Sequence, residues 1–197
     1  MPVIASTELD AINTMLTTIG ESPVNSISAS TADTRIAQLI LQEVDRATQI
    51  KGWNWNTETD VVLTPNVNST HIYLANNVVR VSVDKRTYTD IDVVQRGTRL
   101  YDRKNKTFDF KSPVKAEIVY LLPFTDLPEQ ARYYIVVRSA RLFQQRMIGD
   151  ATGSAFSAEE ETTAYMALND SEDETADHNI FNNYDVAKVV AHRRYLV

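Results

Sequence analysis

The sequence predicts an α+β fold: a bundle of about four helices with an inserted antiparallel β-rich part, sandwich or barrel-like in form. Three observations predict it. Apolar residues recur at helical spacing in both end regions of the chain, and with period two between Trp53 and Phe124. No helical pattern alternates with the period-two runs, which argues against a parallel α/β sheet.

The first helix has clear ends. Thr7 and Asp10 have the spacing of a capping pair, in which the hydroxyl accepts a free backbone N–H and the carboxylate favours the positive helix end. Leu9, Ile12, Met15, Leu16 and Ile19 follow at helical spacing, Gly20 stands where a left-handed terminator belongs, and Pro23 follows as a stop. A Ser/Asn/Thr-rich connector leads to a second helix, predicted from about Asp33 to Lys51 and capped by Thr31 or Asp33. Its apolar stripe reads Ile36, Ile40, Val44 and Ala47, widened by Ala37, Leu39 and Ile50, and Gly52 ends it. The two helices are expected to bury these stripes against each other.

The middle of the chain predicts strands at Asp60–Thr64, His71–Ala75, Val78–Val83, Ile91–Gln95, Thr98–Arg103, Thr107–Lys111 and Val114–Leu122. Short polar turns separate them, and Arg96-Gly97 reads as a tight hairpin turn because Gly tolerates positive φ. Trp53 and Trp55 flank one Asn. In an extended segment they would share a face, welding the helical layer to the sheet or binding a sugar or partner.

Helical period returns at Pro128, whose missing N–H suits a first helical position. The run to Met147 is apolar on more than one face: Ala131, Tyr134, Ile135 and Leu142 on one, Val136, Val137, Ala140 and Phe143 on another. That predicts a central helix, broken by Gly149 or Gly153. A last helix is expected over about Ser154–Asp177, with Ser157 and Glu160 as a capping pair marking its start. The predicted division is a discontinuous helical domain of residues 1–56 and 124–177, a β-rich domain of residues 57–123, and a C-terminal arm of residues 178–197 that orders on a partner.

Composition narrows the function. With 43% hydrophobic and 23% charged residues the 197-residue chain is an ordinary globular protein, which excludes wholesale disorder and coiled-coil readings. There is no Cys, so a disulfide scaffold, a thiol nucleophile and a thiolate-ligated zinc site are excluded. A net charge of −6 argues against a basic surface over the whole chain. No signal peptide and no membrane-spanning run are read.

Charge is unevenly spread. No Lys or Arg occurs between Arg146 and Lys188, an interval holding ten acids, while residues 80–115 hold ten Lys or Arg against five acids. Opposite blocks in one chain suit subunits meeting head to tail, or charged neighbours; two solvated faces are the plain alternative.

The sequence carries few signals of catalytic chemistry. His71, His178 and His192 form no metal-binding spacing, and no nucleotide or nucleophile motif is present. Gly149–Gly153 (GDATG) lacks the lysine of a phosphate loop. A glycosidase needs two carboxyls in unequal environments across a cleft. Asp90, Asp92, Asp102 and Asp109 are available for that in the strand region, but no pattern selects two; Glu159–Glu161 and Glu172–Glu174 look solvated. No catalytic residue, metal or cofactor is expected.

The opening ELDAINTMLTTIGESPVNSI, then KGWNWNTE, VVLTP, YDRKNKTFDF, LPEQARYYIVVRSARLFQQRMIGD and EEETTAYMALNDSEDETAD stand in an order that resembles the tail tubular protein A family, head-to-tail adaptors of T7-like short-tailed phages. The likeness runs over nearly the whole length and is weakest in residues 178–197. None of these pieces is a catalytic motif.

The resemblance implies a non-enzymatic virion protein, assembled in the host cytoplasm into the phage tail. It implies a dodecameric ring between the portal protein and the nozzle protein (tail tubular protein B), with docking places for tail fibres and a channel for double-stranded DNA. Its fold would join a helical part to a β-rich part.

In such a ring Arg96, Arg99, Arg103 and Lys104 are candidates for contacts through the β part. Arg193, Arg194 and Tyr195 are candidates for portal docking. Glu159, Glu160 and Glu161, or Glu172–Glu174, are expected either to meet a neighbour or to line a lumen that repels DNA. An exposed, solvated side chain is the alternative for each. The competing function is a tail-associated glycan hydrolase acting on host envelope polysaccharide.

Overall fold

A computed structural model describes residues 7–28, 31–149 and 158–175. The elements run α1 (Glu8–Thr18), α2 (Ala32–Gln49), β1 (Thr57–Leu63), β2 (Val78–Ser82), β3 (Val93–Arg96), β4 (Arg99–Asp102), β5 (Val114–Tyr120), α3 (Glu129–Ile148) and α4 (Ala158–Thr175). This is an α+β fold with the strands inserted between helices.

The helix ends follow the expected chemistry. Thr7 Oγ1 accepts from Asp10 N at 3.1 Å, and Gly20 takes a φ of 82° just past α1. Thr31, not Asp33, caps α2, accepting from Thr34 N at 3.2 Å. Gly149 closes α3 in the left-handed conformation. Pro128 stands one place outside α3, at its N-cap, rather than at its first helical position. α4 is described from Ala158, directly after Ser157, which lies outside the described residues.

α3 is central. It packs on α1, α2 and α4 and buries Ala131, Tyr134, Ile135, Val136, Val137, Ala140 and Phe143 around most of its circumference. The helical core also takes Ala11, Ile12, Met15 and Leu16 from α1, with Ala164 and Leu168 from α4.

One expectation needs correction. α2 buries Ala37, Ile40, Leu41, Val44, Thr48 and Gln49, while Ile36, Leu39, Ala47 and Ile50 are exposed, Leu39 to 60%. Both stripes contain Ile40 and Val44 at helical spacing, so periodicity alone does not choose between them. Docking on α1 and α3 turns the helix to the polar-edged stripe.

The strands form two antiparallel sheets, one of order β1-β5-β2 and one of β3-β4. Their inner faces share a core of Val81, Val93, Leu100, Val114, Ala116 and Ile118, joined by Ile72, Leu74, Val78 and Phe110. The predicted strands at His71–Ala75 and Thr107–Lys111 are single bridges instead: His71 with Asp109, Tyr73 with Arg99, and Asp102 with Thr107. Thr70 and Lys106, each directly before one of these segments, take positive φ. The hairpin pairs Arg96 with Arg99, so its turn is Gly97-Thr98, one residue later than expected.

Two buried amides join the parts. Gln49 Nε2 donates to the Leu122 carbonyl at 2.9 Å, and Leu122 N returns a bond to Gln49 Oε1 at 2.8 Å. Asn56 Nδ2 donates to the carbonyls of Gln49 and Tyr120, each at 2.9 Å. Residues Asn54–Asn56 form a short 3-10 turn rather than an extended segment. Trp53 and Trp55 therefore stack on each other, with centroids 6.2 Å apart, and Trp53 is buried in the helical core with its Nε1 donating to the Thr48 carbonyl.

Candidate functional site

The β3–β4 register assigns side chains to faces. Residues paired across an antiparallel ladder point the same way, and neighbours along a strand alternate. Leu100 and Val93 face the core, so Arg96, Arg99 and Tyr101 face outward, and the Tyr73–Arg99 bridge brings Tyr73 to the same side.

On that side cations and rings interleave. The Arg96 guanidinium lies over the Tyr101 ring at 3.6 Å, and Arg99 lies over Phe108 at 4.2 Å. Tyr101 meets Phe108 edge-on at 4.8 Å, and His71 lies 5.9 Å from Phe108 and 6.2 Å from Tyr73. Each exposed cation–π contact is worth about 0.5–1 kcal/mol, which favours this arrangement a few-fold over the others open to a long side chain. Asp109 closes the edge, accepting from Thr70 Oγ1 at 2.6 Å and lying 3.5 Å from His71 Nε2. Those bonds, from Thr70 first and then Thr107, hold its carboxyl below the ordinary aspartate range.

The other two basic candidates are turned to structural work. Arg103 pairs with Asp92 at 2.7 Å, and Lys104 Nζ donates to the Thr89 carbonyl at 2.7 Å. Between them Asp102 is buried. Burial raises its pKa, but bonds from Asp92 N, Asn105 Nδ2, Asn105 N and Lys104 N outweigh this and hold it low. This carboxylate ties the 89–92 and 103–107 segments together.

A second feature stands at the tip of the loop between β1 and His71. Asn66 Oδ1 accepts from Asn68 N and Ser69 N, and its backbone pairs with His71 and Thr70. Val67, presented by this loop, is 96% exposed. Val67, Tyr73, Tyr101 and Phe108 are not among the candidate residues that the sequence predicts. The alternation of His71, Ile72, Tyr73 and Leu74 was the available signal for Tyr73; Phe108 joins the face only through the bend at residues 103–109.

α4 carries the acids. Ala164 and Leu168 are buried, with Glu161 and Tyr165 beside them. Glu161 pairs with both Arg138, at 2.9 Å, and Arg141, leaving its side chain 12% exposed. Glu172 accepts from Asn54 N. These two acids fasten the helix to the body and are not the solvated charges expected of them, whereas Glu159 and Glu160 are exposed. Lys51 adds a contact 4.5 Å over the Tyr165 ring, with a hydrogen bond to its hydroxyl. Asp150 and the arm residues Arg193, Arg194 and Tyr195 lie outside the described residues.

Carboxylates also line a groove of about 400 Å³ that includes Asp60, Asp84, Tyr88, Lys115 and Glu117. A glycosidase acid needs a raised pKa. Asp84 is held low by the Arg86 N–H, then by the Thr87 hydroxyl. Among the described residues no group of three His, Asp or Glu side chains is arranged to hold a metal ion, and no helix is long and apolar enough to cross a membrane.

Two comparisons bear on this arrangement. A family model described as tail tubular protein matches residues 9–178. A tail tubular protein A from Klebsiella phage KP34 is 29% identical over 166 residues, covering 82% of this chain and 84% of that protein.

Proposed function

The chain belongs to the tail tubular protein family, and from that premise we propose that it is the subunit of an adaptor ring joining the phage portal to the tail nozzle. Family membership makes it a structural protein of the phage virion tail. The observation that carries the finer reading is extent. The match runs from α1 past the end of α4, so it takes in both cores and the joint between them.

In this reading twelve copies close a ring, assembled in the host cytoplasm. The portal protein sits on one side and the nozzle protein on the other, with tail fibre docked outside. Double-stranded DNA passes through without sequence-specific binding. The arm of residues 178–197, with Arg193, Arg194 and Tyr195, is assigned to the portal. A closed ring of identical subunits needs two unlike surfaces that fit each other. The basic outer face of β3–β4 and the acidic α4 support that requirement.

The subunit acts without catalysis of its own. Asp84, Asp102 and Asp109 are each held in the charged form by hydrogen bonds within the fold, which suits load-carrying turns and not proton transfer. The test is negative-stain microscopy with light-scattering mass, on the purified chain alone and after mixing with its portal. Twelve-fold rings in the mixture are expected. A monomer that ignores the portal would overturn the adaptor reading.

A further inference from the structure

We infer that the outer stripe of α4 in one copy docks on the Tyr73–Arg96–Arg99 face of the next copy. This rests on the ring proposed above and names the contact that closes it.

The α4 stripe follows from helix geometry. At about 100° per residue, Glu159, Thr163, Met166, Asp170 and Glu174 fall within a sector of about 80°. That sector lies opposite the buried Ala164 and Leu168. All five are exposed, and Met166, 59% exposed, is the third of them along the helix axis. The stripe is locally unfavourable. Asp170 and Glu174 are like charges four residues apart. They also lie toward the negative end of the helix, and its last turn has no basic residue. Cations supplied from outside the chain would relieve both costs.

The β face has the complementary build. Tyr73, 55% exposed, is its apolar anchor, and Arg96 and Arg99 lie over the aromatic rings of Tyr101 and Phe108. A guanidinium placed this way is biased toward one arrangement and keeps N–H edges for a carboxylate. An apolar anchor among charges is the common pattern of an interface centre. A thioether against an aromatic edge is also a favourable contact, which suits Met166 on Tyr73.

The same geometry favours protein over nucleic acid. A base-stacking platform needs open ring faces. Here guanidinium groups cover Tyr101 and Phe108, and Asp109 adds a negative charge at the edge. The contact leaves Arg103 and Lys104 in their intramolecular bonds. It also puts the α4 acids between subunits instead of along the DNA channel.

The experiment is sedimentation velocity on the full chain at low and raised salt. Two variants each damage one surface: Arg96→Glu on the β face, and Glu159→Lys with Asp170→Lys on α4. Circular dichroism checks that each is folded. Wild type is expected to self-associate, less so at raised salt, and each variant to associate at least tenfold more weakly. Because each keeps one intact surface and the reversed charges of the two altered surfaces again oppose each other, a one-to-one mixture is expected to recover association that neither variant shows alone.

Variants that associate like wild type would overturn this contact and leave the adaptor reading standing. A wild-type chain that stays monomeric at every concentration and salt would also overturn it, while rings on the portal would still support the adaptor. Micromolar binding of a labelled single-stranded oligonucleotide, lost in Arg96→Glu, would reassign the face to nucleic acid.

Discussion

The helical part and the strand part are held by different means. α3 satisfies its own backbone along 20 residues, so its side chains are free to fill space, and most of those it buries are apolar. The described strands are at most seven residues long. Much of the backbone between them has no ladder partner, and side chains take that role: Asp102 for three N–H groups and Asn66 for two; even within β5 the Tyr88 hydroxyl accepts from Lys115 N. The lesson is that a packing defect should act on the first part, and an unsatisfied polar group on the second.

The largest expected effect tests that division directly. Phe143 is fully buried on α3, and Phe143→Ala should cost about 3–5 kcal/mol by chemical denaturation. Asp102→Ala should cost less, about 1–3 kcal/mol, and its signature should be local. Amide exchange should speed up at Asp92, Lys104 and Asn105 with the helical amides unchanged. A uniform loss of protection in Asp102→Ala would break the comparison.

The joint between the parts comes next. Gly52 has a φ of 78°, and an added Cβ would lie 2.4 Å from the Arg80 guanidinium, which donates to the Lys51 carbonyl. Gly52→Ala should therefore destabilise by about 2 kcal/mol, part from the left-handed backbone and part from the collision. Arg80→Ala in the same chain should recover the collision part. Strict additivity of the two would show that Arg80 moves aside freely.

The smallest effect sharpens the picture of the helical part. Burial pushes Asp45 up to about 6, opposed by a hydrogen bond from Gln49 and aided by the charge of Glu8. Its folded pKa is thus above the unfolded value, so the native chain binds more protons between about pH 4 and 6. Stability on this account rises as pH falls through that window, and the charged carboxylate is a burden above it. Asp45→Asn keeps an acceptor for Gln49. It should stabilise the protein by about 1–2 kcal/mol at pH 8 and flatten the profile between pH 4 and 6. An unchanged profile would mean that water reaches Asp45 in the folded state.

Legibility followed the range of the interactions. The caps at Thr7 and Gly20, the central character of α3 and most strand positions could be read because each depends on residues within a turn or two. The α2 stripe was misjudged at Ile36, Leu39, Ala47 and Ile50, since two overlapping apolar rows compete and only the neighbours decide. The basic candidates separated for the same reason. Arg96 and Arg99 stay outward on rings, while Arg103 and Lys104 turn to Asp92 and Thr89, partners more than ten residues away in sequence.

The amino-acid sequence alone determined the α+β class, the order of helices and strands, the opposite charge blocks and the lack of a thiol or metal motif. These rest on periodicity, capping and composition, which act locally or by simple count. Tertiary structure alone decided which acids of α4 point outward, which stripe of α2 is buried, and how Tyr73, Arg96 and Arg99 come to share one face. Those outcomes depend on register and on contacts between segments far apart along the chain, and neither is encoded in any short window.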